Sequence, residues 1–281
     1  MKPLYLCFLF LPFAFGQTTL TTVSAADYSK IVAPGSIVSI FGTNLASGVF
    51  TAQNQGLTPL PTSLGGVTAS VTDASGNTLP VSLIAVTPSQ VNAVLPSGLQ
   101  SGQYDAEVSA VLNLTTESGA QMTGSILLGT VAPSVFTADQ TGGWLAAAQV
   151  VIAHADGSQT FMGSIATCTS TLVFNGMTWS PCVPIPINLG SATDLAVVEL
   201  YGTGIRGASS IVTLCPNCGY TAVSVSTGSG PIDNYLPVLY AGPQGGGGPG
   251  SFPGLDQVNV LLPHSMVGLG TVALTVQALA G

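Results

Sequence analysis

Four sequence blocks occur twice in this chain of 281 residues, in the same order each time. The paired blocks are Ile37–Leu45 with Val197–Ile205, Leu83–Val86 with Leu239–Gly242, Ser89–Pro96 with Asp256–Pro263, and Gly102–Val108 with Gly270–Val276. Four matches in one order are typical of an internal duplication, because a shared composition alone does not preserve order. The chain is therefore predicted to contain two copies of one folding unit.

The repeated blocks have the pattern of β-strands. Val38 and Ile40 alternate with polar Ser39, and this period of two is typical of a strand with one buried face. Gly-Thr-Asn or Gly-Thr-Gly then follows, a composition that favours a turn. Strands that recur about every 8–12 residues with turns between them indicate an antiparallel sandwich. The fold class is therefore predicted as all-β.

Two domains are predicted, with a boundary near Val131–Pro133. The first spans residues 17–135 and the second spans 136–281, with insertions near 160–189 and 244–254. The second insertion contains a glycine run that loses much entropy on ordering and has little to bury. A mobile surface loop is therefore expected there.

Residues 1–16 have the three-part layout of a secretory signal peptide. Lys2 supplies a positive charge, an apolar run follows to Phe15, and Ala14 and Gly16 place small residues at the cleavage site. The apolar run is shorter than the about 20 residues that cross a bilayer. We therefore expect a secreted or cell-surface protein whose mature chain has no membrane span.

Charged residues form only 5% of the chain, with 3 Lys and Arg against 11 Asp and Glu. A nucleic-acid binder needs Lys and Arg to displace counterions from phosphates, so this composition argues against nucleic acid as a partner. No cofactor is predicted. The partner is left open, with a cell-surface protein and a polysaccharide as the two candidates.

The mature chain has four cysteines, an even number that favours disulfides in an oxidising compartment. Of the three pairings, the one between sequence neighbours is preferred, Cys168 with Cys182 and Cys215 with Cys218. A zinc site formed by the four thiolates and a redox-active Cys-x-x-Cys are the alternatives.

Several of these segments resemble an uncharacterised, mainly acidobacterial family of exported C-terminal domains. The resemblance rests on Ala33–Leu45, Leu60–Val67, Val131–Pro133 with Phe136, and the two Gln-Val-Asn blocks. Each copy also resembles a TIG/IPT domain, in which a strand ends in Gly-Thr-Asn-Leu. The resemblance covers residues 23–281 and implies two tandem immunoglobulin-like β-sandwiches outside the cytoplasm. It implies no catalytic residues.

Two sets of side chains are candidates for binding. Trp179 and Trp144 are candidate contacts for a sugar or a protein partner, because an aromatic side chain offers a large apolar surface. Asp73, Ser75 and Asn77 offer oxygens at alternate positions, which suits a weak calcium site. A hairpin turn rich in Asp and Asn has the same sequence without any metal.

Candidate catalytic groups are few. Asp105 and Glu107 are a carboxylate pair for a glycan hydrolase, although a solvated strand face is the preferred interpretation. His154 and His264 lie at turns, and no Gly-x-Ser-x-Gly elbow supplies them with a nucleophile. The predicted function is a non-catalytic, adhesion-like scaffold or interaction protein. A carbohydrate-binding module is the first alternative, and a secreted glycan hydrolase is the second.

Overall fold

A computed structural model describes residues 19–52, 59–102, 106–143, 145–168, 170–173, 176–179, 182–208, 223–227, 234–248 and 250–279. Over these residues the regular structure is nearly all β-strand, so the predicted all-β class is confirmed. Residues 19–129, the N-terminal region, and residues 132–279, the C-terminal region, each enclose a core. Within the described ranges, no helix has the length and apolarity needed to cross a membrane.

The N-terminal region is built from strands β1 (Thr21–Ser24), β2 (Ile31–Val32), β3 (Ile37–Phe41), β4 (Phe50–Thr51), β5 (Ser63–Leu64), β6 (Val67–Thr72), β7 (Thr78–Pro80), β8 (Ser82–Val86), β9 (Gln90–Val94), β10 (Val108–Thr115) and β11 (Gln121–Leu128). They form one sheet in the order β1-β3-β9-β8-β4 and another in the order β2-β11-β10-β6-β5, with β7 paired to β6. Alternate side chains of both sheets fill one core, including Val38 and Ile40 from one sheet and Leu112 and Leu114 from the other.

The C-terminal region is built from strands β12 (Ser134–Val135), β13 (Ala148–Ala153), β14 (Gln159–Ser164), β15 (Ala166–Thr167), β16 (Ser170–Val173), β17 (Gly176–Trp179), β18 (Val183–Pro184), β19 (Leu195–Thr203), β20 (Val223–Thr227), β21 (Asn234–Leu236), β22 (Val238–Pro243), β23 (Asp256–Leu262) and β24 (Leu274–Ala278). Gln244–Gly247 and His264–Met266 form 3-10 turns. The main sheet has the order β14-β13-β19-β23-β22, with β12 paired to β19, and β21-β20-β24 form a second sheet. Both sheets contribute to one core, as Val198 and Val225 illustrate.

The two regions repeat the pairing of their central strands. β3 pairs with β9, and β19 pairs with β23, so that Asn92 lies opposite Ser39 and Asn259 lies opposite Glu199. In both copies the Gln two residues before this Asn donates from Nε2 to its Oδ1 over 2.7 Å. Matched sequence blocks therefore occupy matched positions in the two sheets.

The match between β8 and β22 is offset by one residue. Sequence comparison equates Tyr240 with Ile84. In the structure, however, Tyr240 lies opposite Asn259, the position that Ala85 takes opposite Asn92. Both strands have a register shift at this point, which leaves Ile84 and Leu239 as the extra residues, so the bulge is shared and Leu239, rather than Tyr240, is the structural counterpart of Ile84.

Strands lie at both of the expected boundaries of the C-terminal region. Ser134 and Val135 form β12, which pairs with β19, so this sheet begins before residue 136. Gln159–Ser164 form β14, which extends the sheet beyond β13. Among the described residues the N-terminal sheet ends at β1, which pairs with β3 as β13 pairs with β19, so β14 is an addition in the C-terminal region.

A third cluster of apolar side chains joins the two regions. Ile37, Leu60 and Val94 are its buried members, and the residues of the C-terminal region that pack on it are Phe136, Phe252 and Leu255. The backbone of Gly254 lies close to the side chain of Ile37. A Cβ added at position 254 would lie only 2.6 Å from Cγ1 of Ile37. The segment 244–254, expected as a mobile loop, thus begins in a 3-10 turn and ends against the N-terminal region.

Candidate functional site

A two-stranded ribbon, whose described residues are 166–168, 170–173, 176–179 and 182–184, leaves the main C-terminal sheet after β14. β15 pairs with β18, and β16 pairs with β17. Cys168 follows β15 and Cys182 precedes β18, so antiparallel pairing brings the two cysteines opposite each other. They form a disulfide with a Cα–Cα distance of 4.2 Å, which confirms the predicted pairing. The ribbon is therefore covalently clamped next to β15 and β18, close to where it leaves the main sheet.

Exposed apolar side chains flank the clamp. Val183 on β18 is 62% exposed, and Ile185 immediately after it is 43% exposed. The backbone N–H of Ile185 donates to the carbonyl oxygen of Ile165 over 2.8 Å, which ties the returning chain to the start of the ribbon. Neighbouring apolar side chains that are exposed to water are candidates for an interaction surface.

The predicted contact residue Trp179 is the last residue of β17. Its backbone lies opposite that of Ser170. Trp179 also precedes Cys182 of the disulfide closely in the sequence. Trp144, Cys215 and Cys218 lie outside the described residues, as does the predicted signal peptide. In the part of the chain that is described, no three His, Cys, Asp or Glu side chains are placed to hold a metal ion.

A polar cluster lies where β13 turns into β14. Nδ1 of His154 is 3.1 Å from Oδ1 of Asp194, and its Nε2 is 2.8 Å from Oγ1 of Thr160. Nε2 of His264 lies 3.2 Å from the carbonyl oxygen of Asp194, so both histidines meet at one residue. Sequence reasoning missed this cluster because its members are far apart in the chain.

The cluster has the order of groups found in a hydrolase triad, with a carboxylate, an imidazole and a hydroxyl. The backbone N–H of Ser191 donates to Oδ2 of Asp194 over 2.7 Å and lowers the pKa of that carboxyl, as does His154. Thr160, however, lies on β14, an edge strand whose side chains are mostly exposed. Its hydroxyl faces water rather than a cleft that excludes it, so the cluster is suited to fixing the hairpin.

The predicted calcium ligands form a hydrogen-bonded turn. Oδ1 of Asp73 accepts hydrogen bonds from the N–H and hydroxyl of Ser75, at 3.0 and 2.6 Å, and from the N–H of Asn77 at 3.0 Å. Oδ2 accepts from the N–H of Gln100 at 3.0 Å. These donors, the Ser75 hydroxyl foremost, lower the pKa of Asp73. The geometry is that of the Asx turn, the alternative interpretation of this sequence.

Glu107 lines a cleft of about 220 Å³ beside the connection between the two regions. Its other lining residues are Ile31, Gly129, Thr130, Val131, Pro133 and Ala278. This volume is below the roughly 300–1,000 Å³ of ordinary ligand pockets. The other member of the predicted carboxylate pair, Asp105, lies outside the described residues.

The strongest buried charge pair joins Arg206 and Asp256. Asp256 is completely buried, and its Oδ1 accepts from Nε of Arg206 over 2.8 Å. Its Oδ2 accepts from the backbone N–H groups of Ile205 and Arg206, at 2.7 and 3.2 Å. Burial raises the pKa of Asp256, against the opposing effect of Arg206. The sequence placed these two residues at the ends of repeated blocks, since Arg206 follows Val197–Ile205 and Asp256 begins Asp256–Pro263. The pairing of the two blocks in the sheet brings the two side chains together.

Comparison with known proteins gives no further assignment: the chain matches no protein-family model and no curated protein. The class of protein must therefore follow from the fold and the ribbon themselves.

Proposed function

We propose that this protein is an exported, non-catalytic interaction scaffold made of two tandem immunoglobulin-like β-sandwiches. In this proposal the scaffold presents the disulfide-clamped ribbon to a macromolecule at the cell surface or outside the cell. The two sheets around each core, antiparallel except for the β2–β11 pair, and the equal registers of β3–β9 and β19–β23 support the tandem sandwich. Resemblance to TIG/IPT domains supports the same reading.

The ribbon is the observation that carries this proposal. Cys168 and Cys182 hold it next to β15 and β18, and Val183 and Ile185 place apolar side chains in water beside the clamp. A rigid surface loses little conformational entropy on binding, so its apolar contacts contribute more of their free energy to affinity. Among the described residues, the N-terminal region has no disulfide and no counterpart of this ribbon.

Catalysis is disfavoured by the surroundings of the polar groups. A triad needs a substrate-binding cleft that excludes water, whereas Thr160 lies on an exposed edge strand. The charge balance restricts the partner as well. With 3 basic and 11 acidic residues, the chain favours neutral or basic partners over nucleic acids and anionic lipid surfaces.

A carbohydrate-binding module is the second candidate function. The observation in its favour is the position of Trp179 on β17, within the clamped ribbon. Tryptophan is a common stacking platform for neutral rings because its face is large and apolar. A polysaccharide would also suit a surface with few charges.

A binding screen on glycan arrays and bacterial cell-wall fractions tests both proposals. If the ribbon is an apolar contact surface, Val183→Asp with Ile185→Asp abolishes binding, whereas Trp179→Ala weakens it only partly. Loss of binding on Trp179→Ala alone assigns the carbohydrate module instead. Val49→Asp is the matched control, because Val49 is an exposed apolar residue of the N-terminal region. Turnover of any polysaccharide in the screen contradicts the non-catalytic assignment.

A further inference from the structure

The second sheet of the C-terminal region matches three strands of its N-terminal counterpart. β6 lies between β7 and β10, as β20 lies between β21 and β24. Val71 of β6 and Val225 of β20 are each completely buried at the centre of these three strands. β10 then pairs with β11 over its whole length, whereas no described strand pairs with the outer edge of β24, the edge away from β20.

The side chains of β24 are less covered than those of β10. The inward side chains of β10 are buried, and Leu112 among them is completely inaccessible. The side chains of β24 that pack on the core remain partly exposed, namely Leu274, Val276 and Ala278. In the N-terminal region β11 adds buried side chains such as Ile126 to the core. The described part of the C-terminal core contains no equivalent strand beside β24.

A second segment points to the same position. In the N-terminal region β11 pairs on its other side with β2. Ile187 and Leu189 precede β19 as β2 precedes β3, and both pack on the C-terminal core. A glycine of positive φ follows in each copy, Gly35 at +76° and Gly190 at +80°. Neither Ile187 nor Leu189 belongs to a strand, so counterparts of both neighbours of β11 are present without a described counterpart of β11 itself.

We infer that the outer edge of β24 accepts an extended segment of another protein, which joins this sheet as β11 joins the N-terminal one. β11 defines the chemistry of that segment. It runs antiparallel to β10, buries Met122, Ile126 and Leu128, and exposes small polar side chains such as Ser125 between them. In such strand addition, backbone hydrogen bonds supply affinity, and the pockets for alternate side chains supply specificity.

The edge lacks the features that prevent strand addition. The five residues of β24 include no charged residue and no proline, and their pairing with β20 has no register shift. The cleft that Glu107 lines also reaches Ala278, so there is open space beside the end of β24. β11 of a second copy is already paired on both edges, so the segment comes from a different protein. This surface is separate from the ribbon, and the inference does not depend on the ribbon's partner.

A synthetic peptide with the sequence of residues 119–129 is the probe, because it carries β11 between its two flanking glycines. We titrate the labelled peptide with the purified full chain and follow fluorescence anisotropy, and we expect one peptide to bind per chain. Amide exchange in the complex should slow by about 10-fold or more in β24. Exchange in β10 should stay unchanged, because both edges of β10 are already paired.

Two peptide variants carry the same added charge at neighbouring positions, and neither can unfold the protein. Ile126→Asp places a carboxylate where the side chain enters the core, so we expect binding to weaken by about 100-fold or more. Ser125→Asp places it on the outward face and should change the affinity by less than about threefold. Equal weakening by the two variants would show that the peptide does not bind as a strand in the β11 register.

Three further results overturn the inference. The first is no binding of the unmodified peptide at millimolar concentration. The second is slowed exchange in β10 instead of β24, since the peptide would then be replacing β11 in the N-terminal region. The third is a β24 whose amides are all protected before peptide is added. In that case another part of the chain, or β24 of a second copy, already occupies the edge.

Discussion

The two regions share the register of their central strands but differ in what covers the outer face of that sheet. Ile37 and Val94 are buried beneath the segment that contains Phe252, whereas Val197 and Leu261 at the same positions are partly exposed. The comparison shows that core positions fix the pairing of the repeat, while outward positions are free to diverge. Function is therefore more readily sought in the outward differences than in the shared core.

The C-terminal region also carries parts that the N-terminal region lacks. These parts are the clamped ribbon, the segment 244–254 and the Arg206–Asp256 pair. Each can be removed or altered separately while a matched position in the other part of the molecule serves as the control. The expected effects differ in size because the groups differ in burial.

The largest effect is expected from Asp256→Ala. The change leaves the Arg206 guanidinium and two backbone N–H groups without their acceptor inside the protein. Breaking a buried pair from one side costs about 3–5 kcal/mol of unfolding free energy. Urea denaturation measures this loss.

Ser89→Ala is the control for that substitution. Ser89 begins the matched block of the N-terminal region, and its side chain is exposed. Its replacement is expected to change the unfolding free energy by less than about 0.5 kcal/mol. Equal effects at the two positions would contradict the claim that the buried pair distinguishes the regions.

Removal of the disulfide is expected to act locally. Cys168 and Cys182 are 14 residues apart, and closing a loop of that size stabilises by about 3 kcal/mol in the chain-entropy description. The double change Cys168→Ser with Cys182→Ser should speed amide exchange in the ribbon and leave the N-terminal region unchanged. Unaltered exchange in the ribbon would show that strand pairing alone holds it.

A smaller effect is expected where the two regions touch. Gly254→Ala adds a Cβ 2.6 Å from Cγ1 of Ile37, at a φ of +82° that also disfavours side chains. Gly250→Ala meets the same kind of backbone penalty at a φ of +91°, but nothing lies within 4 Å. The difference between the two variants, about 1–3 kcal/mol, therefore reports the close approach. Thermal melting of both variants measures it, and equal melting temperatures would contradict the close approach.

Local sequence patterns were sufficient to predict the all-β class and the Cys168–Cys182 pairing. The alternation at Val38 and Ile40 reflects burial on one face, which is a local property of the sequence. The one-residue offset of Tyr240 was missed, because a short block of apolar residues can be matched one residue out of register when only the sequences are compared.

The remaining errors concern contacts between distant residues. The meeting of His154 and His264 at Asp194, and the burial of Ile37 by a segment more than two hundred residues later, depend on how the sheets are packed. No periodicity within either segment records these partners. For the same reason the exposure of Val183 and Ile185 beside the disulfide is known only from the structure, although the disulfide itself was predicted.

The smallest effect is expected at two Asx turns, one in each region. Asp73 accepts four hydrogen bonds, whereas Oδ1 of Asp156 accepts two, both from Ser158. The pKa of each carboxyl is lowered from 3.8, chiefly by the hydroxyl of Ser75 or Ser158. A lowered pKa means fewer protons bound in the folded state, so the stabilisation exists above pH 3.8 and disappears as the pH falls through the lower, folded value.

Asp73→Asn should therefore reduce the melting temperature more than Asp156→Asn at neutral pH, and the variants should approach the unmodified protein as the pH falls below the lowered pKa of each carboxyl in the folded protein. The same melts decide the calcium question. Donors already directed at both oxygens of Asp73 leave a cation no free lone pair along those directions, so added Ca²⁺ or chelator should not move the transition. A rise with Ca²⁺ that Asp73→Asn abolishes would assign a metal to this turn and give the N-terminal region a binding site of its own.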